Sequence, residues 1–303
     1  MPCLLNLVDL RNSWYKSTFR KCGLRERLIE SGDKATVIHC WVPERPDPQK
    51  PNLLLLHGVG VNALWQWGDV ISDFVGTHNV HVPDLLFFGE SHTKLPHRDE
   101  RFHGACIAEA LASIGVTSVA AAFGMSYGGF VAYAMAAGAG PVGIDRVLIC
   151  SAGVSLEEED IANRGLSVSN AEEAARILVP LTPPKLKELV YYTFHLQPPV
   201  CLIPDCLLGD FIDAMCRDNA QEKKELILSV AKGRQLSNLP IISQPTWILW
   251  GDKDKIFPIE LAYRLQRHLG SNAQVFVIKN AGHALNVEKP REFLAILKSF
   301  LNI

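Results

Sequence analysis

The sequence predicts an α/β protein: a mostly parallel central sheet flanked by helices, with a helical cap inserted after the sixth strand. Three observations carry that prediction. Short apolar runs alternate with longer stretches of helical periodicity, the rhythm of strand–helix–strand units. One run, Leu53-Leu54-Leu55-Leu56, is apolar without alternation, as a strand covered on both faces must be. Between Ser151 and about Leu239 the rhythm stops, helical patches and prolines replace strands, and then it resumes. A chain of 303 residues accommodates one large core with such an insertion. The expected division is an N-terminal helical segment (1–30), a core built from 31–150 and 240–303, and a cap (151–239).

Composition narrows the function classes. With 48% hydrophobic and 20% charged residues the chain can bury a substantial core. A net charge of −2, with no Arg/Lys tract interleaved with aromatics, gives no electrostatic case for nucleic acid. The eight cysteines are scattered and none forms Cys-x-x-Cys, which predicts reduced thiols in a cytoplasmic protein rather than a disulfide framework or zinc site. No apolar run approaches the roughly 20 residues of a membrane span. Residues 1–10 lack the basic start and small-residue cleavage site of a secretory signal.

In chain order, the first 30 residues interleave Leu4, Leu5, Leu7, Val8, Leu10, Trp14, Tyr15 and Phe19 with Arg11, Lys16, Arg20, Lys21, Arg25 and Arg27. An apolar stripe beside a basic one suits a helix lying at a membrane surface, and equally a helix packed on its own protein. A peripheral membrane contact is therefore one expectation for this segment. Thr36 to Trp41 alternates as a strand, and Leu53–Leu56 ends in His57-Gly58-Val59-Gly60. Leu64 to Val75 predicts a helix, Val80 to Pro83 a strand, and Arg98 to Ile114 a helix stopped by Gly115. A strand over 119–123 leads into Gly124-Met125-Ser126-Tyr127-Gly128-Gly129, and a helix leads out. Val147–Cys150 is the next strand. In the cap, helices are predicted at Ala171 to Leu178, at Lys185 to Phe194, and at 207–232 with a break near Asn219. The core resumes with strands at Thr246 to Trp250 and Gln274 to Ile278, a helix from about Ile259 to Leu269, and a last helix opened by Pro290.

The stretch around Ser126 reads Gly-x-Ser-x-Gly-Gly between a strand and a helix, the context of a nucleophile elbow. Such a turn strains the serine and needs glycines at 124 and 128 so that strand and helix can pass closely. Ser126, Asp254, His283 and the glycine loop at 57–60 all fall at carboxyl ends of predicted strands, where open α/β sheets bind ligands. An alcohol is a poor nucleophile, so Ser126 needs a base, His283, to take its proton and later return it to a leaving group. Asp254 would fix the histidine tautomer, with Asp252 as the competing acid. Backbone N–H groups of Tyr127 and Val59 are the natural donors to a tetrahedral oxyanion. Asp84 and His57 read as supports for neighbouring loop backbone.

From about residue 35 onward the chain resembles the serine α/β-hydrolases of the monoacylglycerol-lipase and esterase branch, including plant relatives of the monoacylglycerol hydrolase. The resemblance rests on His-Gly-x-Gly at 57–60 with Trp65, on Pro83-Asp84-Leu85 with Gly89 and Ser91, and on the elbow. It rests also on Gly251-x-x-Asp254 with Pro258, and on Gly282-His283. It implies Ser126, Asp254 and His283 as a catalytic triad, no cofactor and no metal. The implied substrate is a small ester or lipid such as a monoacylglycerol, cleaved through an acyl-enzyme. The family commonly has Gly-Phe-Gly where this chain has Phe87-Phe88-Gly89, and the extra ring would either narrow the pocket or pack the cap. Two other readings share the constellation: hydrolysis of a carbon–carbon bond in a β-diketone-like compound, and a small-molecule receptor. Epoxide hydrolases and haloalkane dehalogenases are disfavoured because they carry aspartate at the elbow.

Overall fold

The computed structural model describes residues 6–32, 34–162 and 170–303; Cys3, Leu4 and Leu5 lie outside them. The main sheet is built from β1 (Leu24–Glu30), β2 (Thr36–Pro43), β3 (Asn52–Leu56), β4 (Asn79–Pro83), β5 (Ala121–Met125), β6 (Val147–Cys150), β7 (Thr246–Gly251) and β8 (Ala273–Ile278). They lie in the order β1-β2-β4-β3-β5-β6-β7-β8, and a two-residue strand, His92–Thr93, pairs with β2. β2 runs antiparallel to β1 and β4; every pair from β4 to β8 is parallel. The order reverses around β3, so the loops leaving β3 and β5 open side by side at a topological switch point.

The unbroken apolar run of β3 serves both faces, because successive side chains of a strand point to opposite sides. Leu54 and Leu56 belong to one core, beneath α3 (Glu100–Ser113) and α4 (Tyr127–Ala136). Leu53 and Leu55 belong to the other, beneath α1 (Leu7–Lys21), α2 (Ala63–Trp67) and a C-terminal helix, Pro290–Leu301.

Three local expectations are corrected. The helix of the first 30 residues ends at Lys21; Gly23, at φ 74°, turns the chain, and Leu24–Glu30 pairs with β2 along its whole length. The helix expected from Leu64 to Val75 stops at Trp67. There Gly68 makes room for Tyr15 of α1, since a Cβ at 68 would lie 2.1 Å from the tyrosine ring. The cysteines are not all reduced. Cys22, Cys40, Cys150, Cys201 and Cys216 are thiols, but Cys206 is disulfide-bonded. Pairing depends on which sulfurs the tertiary fold brings within reach, and spacing along the chain does not report that.

Over the sheet, the segment between β6 and β7 forms α5 (Glu158–Ala162), α6 (Ala171–Leu178), α7 (Pro183–Thr193), α8 (Asp205–Ile212) and α9 (Ala220–Ala231). The helix over 207–232 does break near Asn219, at φ 52°, after one wide turn at 213–217. α9 is bolted to the core: Arg98 pairs with Glu225 at 3.0 Å, and Ser229 Oγ donates to Arg98 O at 2.7 Å. Just beyond it, Arg234 reaches Glu100 at 2.6 Å. Among the described residues no helix is long and apolar enough to cross a membrane.

Two core histidines tie stability to pH. Burial holds the His81 imidazole down at about 4 and that of His103 at about 3. The unfolded chain, with histidines near 6.5, then binds more protons than the native state as pH falls below that value, so stability declines with acidification. We expect the contribution of these two histidines to the unfolding free energy to be level above about pH 7 and to fall steadily toward pH 4. His103→Phe should flatten that decline in urea titrations across this range.

Candidate active site

The elbow follows from close backbone approach. β5 pairs with β3 on one side and β6 on the other, in a register that sets Gly124 opposite both Leu56 and Ile149. Ser126 N–H then donates to Cys150 O at 2.8 Å, and the serine adopts φ 50° and ψ −121°. A Cβ at Gly124 would sit 2.3 Å from Gly128 O, and one at Gly128 would sit 2.5 Å from Leu56 O. Both neighbours are backbone, so neither can yield. The strain at Ser126, of order 1–3 kcal/mol, is held by this framework.

Asp254 and His283 arrive on the neighbouring strands β7 and β8, which pair through Gly251 and Ile278. Asp254 Oδ1 accepts from the N–H groups of Ile256 (2.8 Å) and Phe257 (3.0 Å), which leaves Oδ2 facing His283 Nδ1 at 2.9 Å. The carboxylate side chain is fully buried. His283 Nε2 lies 3.0 Å from Ser126 Oγ. With Nδ1–H donated to the carboxylate, the Nε2 lone pair faces the serine hydroxyl, as a general base requires. Asp252 instead accepts from Asn280 N–H and sits beside Lys253 and Lys279, away from the histidine.

Of the proposed oxyanion donors, Tyr127 opens α4, where N–H groups have no helical acceptor. Val59 follows Gly58, whose close packing is visible in the 3.0 Å that would separate an added Cβ from Ser126 Cβ. Both Val59 and Tyr127 line the cavity that holds Ser126 and His283.

Behind the glycine loop runs a buried polar network. His57 Nε2 accepts from Leu85 N–H at 2.9 Å, so its Nδ1 carries the proton and donates to Gly58 O at 2.8 Å. Burial keeps this imidazole low and neutral, against the pull of the nearby Asp84 charge. Asp84 accepts from Ala63 N–H and from His39 Nδ1, each at 2.8 Å. For His39, burial alone would depress the imidazole; the hydrogen bond and charge of Asp84 outweigh it, and the net shift is upward. His57 and Asp84 thus support loop backbone. Sequence reasoning missed His39; the only signal was a polar side chain inside an otherwise apolar strand.

The cavity over Ser126 has a volume of about 240 Å³ and is walled mostly by apolar side chains of the cap, among them Ile177, Leu178, Leu186 and Leu189. Lys255 is the one lysine or arginine among the described lining residues, and its Nζ donates to Tyr191 O at 3.2 Å. Its adjacency to Asp254 was the available clue. Phe87 and Phe88 do not line the cavity. Phe88 packs edge-on against His57 (5.2 Å) beneath the Lys223 ammonium of α9 (4.9 Å). Phe87, at φ 75°, is buried under the Arg98 guanidinium, 4.7 Å from its ring centroid. The extra ring packs the joint between cap and core.

Residues 53–296 match the alpha/beta hydrolase family. The chain belongs to that family. Among curated proteins it is similar to monoacylglycerol lipase ABHD6 of Mus musculus, 28% identical over 185 residues, covering 59% of this chain and 53% of the lipase. The chain thus spans about half the length of that relative. Lipase 1 of Psychrobacter immobilis is 27% identical over 296 residues, covering 92% of this chain and 84% of the lipase. Among solved structures, an Acinetobacter baumannii protein described as a candidate lipase superposes with a TM-score of 0.79 at 20% identity, over 96% of this chain and 95% of its own. The superposition with the Acinetobacter protein extends over nearly the whole of both chains, so the two share the fold.

The network behind the loop makes a stability prediction. Asp84→Leu removes the partner of His39 and the acceptor of Ala63 N–H. Breaking a buried pair this way should cost about 3–5 kcal/mol of unfolding free energy, read from urea denaturation.

Proposed function

We propose that this protein is a serine hydrolase that cleaves a carboxylic ester with an apolar acyl group, a monoacylglycerol or a similar lipid or small ester, through an acyl-enzyme. The observation that carries the reading is the hydrogen-bonded line from Asp254 through His283 to Ser126 at the floor of an apolar cavity. Ser126 Oγ attacks the ester carbonyl carbon as its proton passes to His283 Nε2. The oxyanion is held by the N–H groups of Val59 and Tyr127. Collapse expels the alcohol, which takes the proton from His283, and leaves the acyl group on Ser126. Water then repeats the sequence, with the acid as product and Ser126 restored. The relatives named monoacylglycerol lipase and lipase support this reading.

A second reading has one specific support. A Pseudomonas putida protein named 2-hydroxy-6-oxo-2,4-heptadienoate hydrolase is 28% identical over 291 residues, covering 91% of this chain and 95% of its own. The same three side chains would serve carbon–carbon hydrolysis, and Lys255 would have to meet the substrate carboxylate. The apolar walls favour the ester.

The test is fluorophosphonate labelling followed by a p-nitrophenyl ester series of rising acyl length. Ser126→Ala should abolish labelling and lower kcat by 10⁴-fold or more, on the order of losses at such serines. Turnover of the dienoate but of no ester would transfer the assignment to the second reading. Labelling with a single turnover and then none would point to the receptor.

We also propose a peripheral membrane contact. α1 buries Val8, Tyr15 and Phe19 on the core, while Leu7, Leu10 and Trp14 are 48%, 53% and 52% exposed. Their i, i+3, i+7 spacing places them on one outward face. Deleting residues 1–30 would also strip β1, so point changes are the cleaner probe. Leu10→Ser with Trp14→Ser should weaken sedimentation with anionic lipid vesicles several-fold while leaving short-ester hydrolysis intact; equal sedimentation refutes the contact.

A further inference from the structure

The cap meets the catalytic histidine through backbone. α7 ends at Thr193, whose carbonyl accepts from the N–H groups of His283 (2.8 Å) and Ala284 (3.2 Å). After α7 the chain turns away, and the next free amides belong to His195 and Leu196. Both donate to Glu288 Oε1, at 2.9 and 2.8 Å. Glu288 closes the short helix α10 (Leu285–Glu288), five residues beyond His283 in the chain. Its other oxygen, Oε2, accepts from Gly282 N–H. One carboxylate therefore joins three amides, two from the cap and one from the residue before the catalytic base.

Gly282 shows how tight this junction is. A Cβ there would lie 2.7 Å from both His195 N and Thr193 O, and 2.9 Å from Glu288 Oε2. The glycine before the histidine is demanded by the cap's approach, not by a left-handed turn. We propose that Glu288 is a positioning residue that latches the exit of α7 to the histidine loop, so that His283 is aligned on Ser126 only while the cap is seated. The proposal rests on the reading of His283 as the base. An anionic carboxylate suits the task because it accepts at both oxygens, with charge-assisted bonds to all three amides. A glutamine of the same shape offers one oxygen and turns an N–H₂ toward an N–H. Movement of α7 to admit a substrate would then draw on the histidine loop, and its return would restore the line to Ser126.

The test compares Glu288→Gln and Gly282→Ala in the full chain, with Glu292→Gln on the exposed face of the C-terminal helix as control. Glu288→Gln should lower kcat by about 10-fold to 10²-fold, the scale of a small misplacement of a reacting group. KM for a short ester that does not reach the cap should change less than twofold. Amide hydrogen exchange at His195, Leu196 and Gly282 should accelerate, and Gly282→Ala should reproduce the kcat loss by wedging the same junction. A Glu288→Gln enzyme with wild-type kcat and a lowered Tm would reduce Glu288 to a structural tie and overturn the proposal. If the wild type itself turns over no ester and Ser126 takes no label, the hydrolase reading fails instead. The exchange arm still decides the latch in that case: unchanged protection at Leu196 and Gly282 in Glu288→Gln refutes it.

Discussion

Backbone packed against backbone at the carboxyl ends of β3 and β5 is the constraint on which the site depends. Gly124, Gly128 and Gly58 let the elbow, the following helix and the β3 loop come within van der Waals contact of one another. That closeness forces Ser126 to φ 50° and lifts its side chain out of the turn. It also brings the loop carrying Val59 to the same point as the first amide of α4. A side chain at Gly124 would meet the Gly128 carbonyl of α4, and one at Gly128 the Leu56 carbonyl of β3; neither oxygen can move independently of its element. The strained serine is therefore a consequence of sheet register, and its cost is spread over a core that is already rigid.

Around that point the protein uses two kinds of support. Asp254 and His283 are held from the sheet side, where Asp254 spends one oxygen on its own loop and the other on His283. The glycine loop is held from behind by His57, which bonds the backbone of Gly58 and Leu85, and by Asp84, which joins the Ala63 N–H to the His39 imidazole. A buried polar network of this kind is costly unless its members are satisfied, and here the carboxylate of Asp84 faces a histidine held toward its charged form. Phe88 connects the network to the cap, with His57 on its edge and the Lys223 ammonium over its face.

The cap is fixed unevenly. Its α9 side is tied to the core by ion pairs through Arg98 and Arg234 and by the Ser229 hydroxyl. Its α7 side rests on the histidine loop through Thr193 and Glu288. The apolar cavity lies between these two attachments. Whatever enters must pass walls supplied by the cap.

Much of this was legible in the residues. The alternation of apolar runs and helical periodicity marked the sheet, the unbroken leucines marked its centre, and Gly124-x-Ser126-x-Gly128 marked the elbow, because each pattern has a local steric cause. The break at Asn219 and the stop at Leu178 were equally local. Other features were not. Leu24–Glu30 carries the same mixture of leucines and arginines as the helix before it, and only pairing with β2 made it a strand. The helix after the glycine loop stops at Trp67, and residue 68 is glycine because Tyr15, 53 residues earlier, fills the space of a side chain there. The meeting of Glu288 with His195 and Leu196 depends on segments far apart in the chain. The sequence by itself determined most of the strands and the elbow, and it placed Ser126, Asp254 and His283 at strand ends, since backbone sterics and side-chain chemistry act over a few residues. Only the tertiary structure decided the distances between them, the shape of the cavity and the tie between cap and histidine, since those arise where distant segments compete for the same space and the same hydrogen-bond donors.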